Sequence, residues 1–578
     1  MNDAQERTFE IGLTMAGAVS AGAYTAGVVD FLLEALSTWY DARARGEASI
    51  PSHSVSLRVM SGASAGALTA AIVAANARVA FPPVKPGTDA TSGPKNPLFT
   101  AWVDRIDMSE LLKTRDLASG AQPLSLLDTT IIDQIADEVL TPPAGQAPGT
   151  SRPYFASTLR TLMTVTNITG VPYAYKSVGA GSYQQGMTAH GDVMRFAVTN
   201  AGQVPALAPR TAPGWTYEYQ LDLANAPPLL LLLKQCAIAS AAFPLGLKPR
   251  ELTRDRTDYN NRPVVLPGAN AGQLPSVVYF QPNWPTGSTP DIKPAYNFVN
   301  FDGGCIDNEP FELARTELAG GPLERNERSG SSAARAVIIV DPFPQIAPPP
   351  PLELAKDVPL QLALFKLLGV YKDQARFKPE ELALALQDDV YSRFLIAPVR
   401  PDPSPTGGPD NPATLGPWIA SGALGGFSGF LSREYRRHDY WLGRRNCQQF
   451  LRRFFTLKED NPLFAAWRNE PWAAAYRVSN TVNGVTWTEL PVIPLMTSVR
   501  DEEPVPKWPF GVFDPASIRD AVSNRANAIF QRWMEGESFL SKIAKFAWWT
   551  WGRSALTDKI LNAIRSGLAT QRLVTPKT

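Results

Sequence analysis

Histidine and cysteine are scarce, three of each in 578 residues. Cys236, Cys305 and Cys447 lie far apart, which excludes a disulfide framework and metal-ligand spacing and suits a reducing compartment. Charge of one sign is missing too: 55 Lys and Arg face 54 Asp and Glu, so no global field draws a polyanion, and no nucleic-acid partner is expected. Long apolar runs are absent. The uncharged stretches Pro263 to Pro290 and Asn411 to Ser432 are broken by Pro267, Pro275, Pro282, Pro412, Pro417 and Gly425. Leu229 to Leu233 is too short to span a bilayer and reads as a buried helix. The opening MNDAQERTFEIGLTM lacks a basic segment followed by an apolar one, so no signal peptide is expected and a cytoplasmic location follows. No Gly-x-Gly-x-x-Gly occurs, and neither a cofactor nor a metal is expected. What remains is 44% hydrophobic and 19% charged, enough for a large core and, by length, roughly three or four domains.

The informative stretch is Val55 to Ala77, VSLRVM-SGASAG-ALTAAIVAANA, which holds Gly62-Ala63-Ser64-Ala65-Gly66. The pentapeptide alone is a weak signal, because a chain this long holds roughly 0.2 chance copies at ordinary Gly and Ser frequencies. Its context is stronger. β-branched and apolar residues precede it and small helix formers come after it, so it sits on a strand-to-helix turn. Such an elbow holds a serine hydroxyl proud of the backbone, where Gly62 and Gly66 remove the Cβ atoms that would clash. A serine beside a base, with N–H donors opposite, becomes a nucleophile.

In chain order, Phe9 to Met15 reads as a first strand, then Ala16-Gly17-Ala18-Val19-Ser20-Ala21-Gly22, then a helix from about Ala23 to Tyr40. Gly17 and Gly22 have P-loop spacing, but Ala23 stands where lysine belongs, leaving an oxyanion-binding loop or a plain packing turn. Pro/Gly-rich loops at Phe81 to Pro97 and Thr141 to Pro153 flank a mainly helical insertion containing Ser125 to Leu140, with Asp128 in its first turn. Leu162 to Ile168 and Arg195 to Thr199 read as strands, and Cys236 to Phe243 as a small-residue helix ended by Pro244. Tyr296 to Phe301 is a short strand ending in Asp302-Gly303-Gly304, either a good turn or a carboxylate at a strand end where α/β sheets place their chemistry. Ala334 to Val340 is a buried strand, and the proline tract Pro342 to Pro351 ends the core. Beyond it the chain is helical and aromatic, with a Pro/Gly loop at Pro401 to Pro417. Arg433 to Phe455 reads as a solvated helical face with aromatics turned to the core. Phe539 to Leu573, basic and carrying Trp548, Trp549 and Trp551, reads as a membrane-interface helix or as a helix docked on the core.

A loop able to cradle an anion, a serine elbow and an Asp-Gly-Gly, in that order over roughly Phe9 to Pro344, resemble the patatin-like phospholipase family. The resemblance implies an α/β fold, a three-layer α/β/α core with a mixed, mainly parallel sheet over residues 7–345, with insertions at about 81–153. A mainly helical C-terminal domain over 352–578 is expected after it. It implies Ser64 as nucleophile, Asp302 as base, N–H donors at Gly17, Ala18 and Val19, and motif glycines at Gly62, Gly66, Gly303 and Gly304. The helix Cys236 to Phe243 with Pro244, and Asn308 with Pro310, also look like family features. The family's loop commonly reads Gly-Gly-Gly-x-Arg/Lys-Gly, so here Ala18 and Val19 must take backbone angles that glycine would supply, and a fixed charge is missing. The separation of 238 positions from Ser64 to Asp302 is long, which leaves room for a lid or a substrate-shaping surface.

A Ser-His-Asp triad would have to recruit His53, His190 or His438. His438 follows Asp302 but sits among arginines in the expected second domain, so a Ser64–Asp302 dyad is expected, with a desolvated site raising the proton affinity of Asp302. The expected activity is lipid acyl hydrolysis of phospholipase A type on a phospholipid or other acyl ester, with peripheral membrane contact through 539–573. Acylglycerol or acyl thioester hydrolysis, or a non-catalytic membrane-associated interaction protein, are the alternatives.

Overall fold

The computed structural model describes residues 7–88, 95–141, 151–175, 185–205, 218–225, 227–268, 270, 272–284, 295–344, 370, 374–376, 390–400, 418–482, 484–534 and 552–576. The chain opens with β1 (Thr8–Met15), a 3-10 turn (Val19–Ala21) and α1 (Gly22–Ala44). The elbow unit is next, as β2 (Ser54–Gly62) and α2 (Ala65–Ala75). Both strands are almost wholly buried, polar positions such as Thr14, Ser56 and Ser61 included. Next come α3 (Thr130–Leu140), β3 (Arg152–Tyr175), β4 (Gln185–Thr199), α4 (Pro227–Ser240), β5 (Arg250–Asp255), a separate hairpin of β6 (Arg262–Leu266) and β7 (Ser276–Phe280), and β8 (Ala295–Asp302). The chain then forms α5 (Phe311–Ala319), β9 (Arg335–Val340), β10 (Arg393–Ile396), α6 (Arg433–Arg453), α7 (Arg519–Trp533) and α8 (Arg553–Ala569).

The main sheet has ten strands, with the path β10-β9-β1-β2-β3-β8-β5. The first five run parallel, while β8 runs against both β3 and β5. The mixed, mainly parallel sheet with helices on both faces is the expected architecture. One face carries a large cluster that joins α1, α2, α4 and α6; the other is covered by α5 through Phe311, Ala314 and Leu318. The layers are unequal because β1 turns Phe9, Ile11, Leu13 and Met15 to the larger cluster and meets α5 through Gly12, while β2 sends Val59 to the α5 side.

Several elements extend past their expected bounds. The strands at 162–168 and 195–199 are parts of β3 and β4, which pair as a long hairpin running beyond the end of β2. The small-residue helix is the end of α4, which also contains the leucine run, with Leu233 buried and Leu231 exposed. The insertion helix starts at Thr130 because the buried Asp128 carboxylate accepts from the Thr130 N–H and holds the chain before it out of the helix.

Residues on both sides of the boundary expected at 345/352 belong to one core. β10 extends the sheet beside β9, and α6 lies along α1. A Cβ on Gly27 would stand 1.8 Å from the Tyr440 carbonyl oxygen, and one on Gly443 would stand 2.1 Å from that of Tyr24, so these helices meet backbone to backbone. The arginine-rich face of α6 departs from expectation: Arg436, Arg444 and Arg445 are buried, not solvated. The reason is that their partners come from elsewhere in the chain. Arg444 pairs with Asp30 and Glu34 of α1 and with Glu503, while Arg436 donates to the carbonyls of Val103 and Gly429. One helix among the described residues, Val19–Ala44, is long and apolar enough to cross a membrane, and 89% of its apolar window is buried inside the protein. The loops expected at 401–417 and most of the proline tract lie outside the described residues, as do Phe539 to Trp551. The described remainder of that last segment, α8, docks against α7 through residues such as Leu561.

Candidate active site

Two residues separate β2 from α2, and the chain reverses in them by bending the backbone of Ser64 to φ 51°, ψ −118°, outside the regions an L-residue prefers. The surroundings enforce this. A Cβ on Gly66 would lie 2.0 Å from the Met15 carbonyl oxygen, and one on Gly62 would lie 2.5 Å from the Gly66 carbonyl carbon. Strand, turn and helix are therefore pressed together more closely than any side chain allows, and the strain is held at Ser64. Its N–H donates to the Ser240 hydroxyl at 2.9 Å, at the end of α4. Its own hydroxyl donates to Asp302 Oδ2 at 2.6 Å. Both side chains are buried.

Asp302 reaches this point by a route the sequence does not disclose. β2 ends with Gly62 beside Met163 of β3, and Asp302 of β8 pairs with Val165, two residues further along β3. Because β8 is antiparallel to β3, the carboxylate comes to the carboxyl end of β2 from beyond it, along the extension of β3. It is then fixed on all sides. Asp302 Oδ1 accepts from the Gly304 N–H at 2.7 Å, its N–H donates to the Ala242 carbonyl at 3.0 Å, and its carbonyl accepts from Thr166 at 2.8 Å. Gly303 is required because a Cβ there would meet the Thr164 carbonyl oxygen at 2.1 Å.

The loop after β1 faces Ser64: a Cβ on Gly17 would stand 3.2 Å from the Ser64 Cβ and 2.5 Å from Asn308 Oδ1. One of its three expected donors is already used. The Gly17 N–H donates to the Asn308 carbonyl at 3.1 Å, which corrects the expectation that it is available to an oxyanion. Ala18 and Val19 make no such backbone bond among the described residues. Ala18 has φ −146°, whereas Val19 takes φ 50°, an angle that a β-branched residue rarely adopts. The valine thus does what glycine would do, at a cost of about 1–3 kcal/mol in backbone strain.

What holds the loop in that shape is the Ser20 hydroxyl, which donates to the Gly426 carbonyl and accepts from the Gly429 N–H at 3.0 Å. Sequence reasoning missed this brace and the Ser240 contact. Ser240 carries a weak signal, as the polar residue in a run of alanines, but nothing local to Ser20 points 406 residues ahead to Gly426.

The histidines stand aside. His53 is stacked on Trp467, donating from Nε2 to the Val492 carbonyl and accepting at Nδ1 from the Trp467 indole N–H at 3.0 Å. Burial holds its pKa down at about 4. The His190 ring bonds the Asn167 carbonyl and the His438 ring bonds Asp439, with burial lowering the His438 pKa. None of these bonds goes to the Ser64 hydroxyl. Burial also pushes up all three thiols, that of Cys305 to about 12 with the nearby Asp302 charge adding to the effect, so no cysteine is poised as a competing thiolate. Among the described residues no group of three His, Cys, Asp or Glu is arranged to hold a metal ion.

Ser64 opens into a narrow cavity of about 70 Å³ walled by Leu68, Ile72, Ile135, Val139, Phe243 and other apolar side chains of α2, α3 and the turn after α4. Among the described residues no charged side chain lines it. A hydroxyl with a carboxylate acceptor, a facing loop in which two backbone N–H groups bond no carbonyl among the described residues, and an apolar slot beside it are the parts that acyl transfer from an apolar acid requires.

Residues 13–315 match the family described as patatin-like phospholipase. Over 540 residues the chain is 36% identical to an uncharacterized protein, y4iI, of Sinorhizobium fredii (strain NBRC 101917 / NGR234), covering 88% of this chain and 73% of that one. Among solved structures, VipD from Legionella pneumophila aligns over 98% of this chain and 92% of its own, at 12% identity and a TM-score of 0.20, too low to bear on the fold. The chain belongs to the patatin-like phospholipase family.

Proposed function

We propose that the protein is a lipid acyl hydrolase of phospholipase A type that works through a Ser64–Asp302 dyad. Family membership supports the coarse reading, lipid acyl hydrolysis. The single observation that carries the finer one is the 2.6 Å hydrogen bond from Ser64 Oγ to Asp302 Oδ2 at the mouth of an apolar slot.

In this reading the Asp302 carboxylate takes the Ser64 proton as Oγ attacks the ester carbonyl, and the N–H groups of Ala18 and Val19 receive the oxyanion. Collapse of the intermediate expels the alcohol, which leaves with the proton from Asp302. Water then enters and attacks the acyl carbon as Asp302 takes its proton, and collapse expels Ser64 Oγ, which leaves with that proton from Asp302 and releases the free acid. Asn308 acts as a positioning residue: its carbonyl holds the Gly17 N–H, and its amide lies between the donor loop and the Asp302 turn.

A fluorophosphonate probe tests the dyad. Wild type and His438→Ala should be labelled, whereas Ser64→Ala and Asp302→Asn should not. Loss of labelling in a folded His438→Ala sinks the dyad, and a folded, unlabelled wild type favours a non-catalytic interaction protein. Comparing phospholipid, acylglycerol and acyl thioester in the same detergent micelles ranks the substrates. Peripheral membrane contact through 539–573 is part of the proposal, motivated by composition. Replacing Trp548, Trp549 and Trp551 by Ser should abolish cosedimentation with phospholipid vesicles, and unchanged sedimentation refutes it.

A further inference from the structure

A second cavity lies behind the first. It measures about 820 Å³ and shares Phe243 with the slot at Ser64. Its walls come from the turn after α4, from the insertion at Met108 and Leu127, and from α7 and α8 through Val522, Ile529, Ile560 and Ile564. The C-terminal helices lie outside residues 13–315, so this compartment is an addition to the family's core.

The wall is apolar in a strict sense. Arg525 is its one charged side chain among the described residues, and all five guanidinium donors are occupied. They bond the carbonyls of Lys113, Ser125 and Leu126 and both carboxylate oxygens of Asp116. A head group or an anion finds no partner there, whereas a hydrocarbon chain does. The volume falls within the range, about 300–1,000 Å³, of cavities that enclose whole ligands. The two compartments share an aromatic wall residue: Phe243 lines both and meets Phe427 of the groove edge to face, with centroids 5.2 Å apart. On the rim, Leu245 and Trp533 are 66% and 63% exposed, so the cavity opens to the outside through apolar side chains.

We propose that this groove is an acyl-chain subsite that holds the second chain of a two-chain lipid while the first chain presents its ester to Ser64. The proposal rests on the acyl hydrolase reading above. Two apolar compartments that meet at one ring beside the nucleophile suit chains leaving neighbouring carbons of one backbone, and a single-chain lipid fills only one of them.

Ala526→Trp, and separately Ile560→Trp from the facing helix, fill the groove without touching Ser64, Asp302 or the donor loop. On a diacyl phospholipid in detergent micelles each should lower kcat/KM about tenfold or more, while a short-chain soluble ester is cleaved as by wild type and a lysophospholipid nearly so. Equal losses on all three substrates, or none on the diacyl lipid, overturn the subsite. A loss on single long-chain esters as well shows that the groove takes the scissile chain, which overturns it too. If wild type cleaves no ester, the hydrolase reading fails and binding decides. A non-hydrolysable diether phospholipid should then bind wild type about tenfold tighter than Ala526→Trp, a monoether lysolipid should bind both alike, and identical diether affinities refute the groove.

Discussion

Ser64 and His53 show what single side chains cost this fold. Ser64 is kept at φ 51°, ψ −118° by a turn that relieves none of that strain within itself. Ser64→Gly should therefore unfold at higher denaturant than Ser64→Ala, by about 1 kcal/mol, while both are inert towards the fluorophosphonate probe. An Ala variant as stable as the Gly variant would mean the angle is not strained. His53 makes a different demand. With a pKa of about 4 in the fold and 6.5 when unfolded, it refuses a proton that the unfolded chain accepts between those values. Below pH 6.5 the unfolded state is favoured as acid is added, and the loss reaches about 3 kcal/mol by pH 4, with none above pH 7. His53→Phe should lose less stability than wild type between pH 7 and pH 4.5 in urea titrations; parallel losses would assign the acid sensitivity to other groups.

At the level of elements, legibility tracked the distance over which each element is specified. β1, β2 and α2 were readable because a buried strand and a small-residue helix carry their pattern within about ten residues, and the elbow glycines mark the junction. Ser64 and Asp302 were singled out by the order of three motifs along the chain, since each motif alone also reads as a turn. The direction of β8 was not readable, because strand polarity depends on the hairpin of β3 and β4 rather than on residues 295–302. Nor was the burial of α6. Its arginines look solvated until Asp30, Glu34 and Glu503 are brought to Arg444 from regions up to 414 residues away. That cluster binds α1, which carries the donor turn at its start, to α6. Arg444→Met leaves three carboxylates without their buried cation and should cost about 3–5 kcal/mol in chemical denaturation. A loss below about 1 kcal/mol would mean that water already screens the site.

For the molecule as a whole, residues 13–315 carry the family pattern, but the fold is completed by elements from the last third of the chain. β10 covers the edge of β9, α6 covers α1, and the stretch Ala423 to Gly429 braces Ser20. A chain ending at Pro344 should be insoluble or, if soluble, unlabelled by the probe, and supplying residues 345–578 as a separate chain should restore labelling. Full labelling of the short chain would show that the family core works alone.

The Ser20 brace also sets an order in time. As the chain leaves the ribosome, Ser64 and Asp302 emerge well before Gly426 and Gly429, so a nascent chain has its hydroxyl and carboxylate while the turn that would receive an oxyanion is still unsupported. A chain of a lipid acyl hydrolase family is thus synthesised in an unarmed form, armed by the folding of its last third.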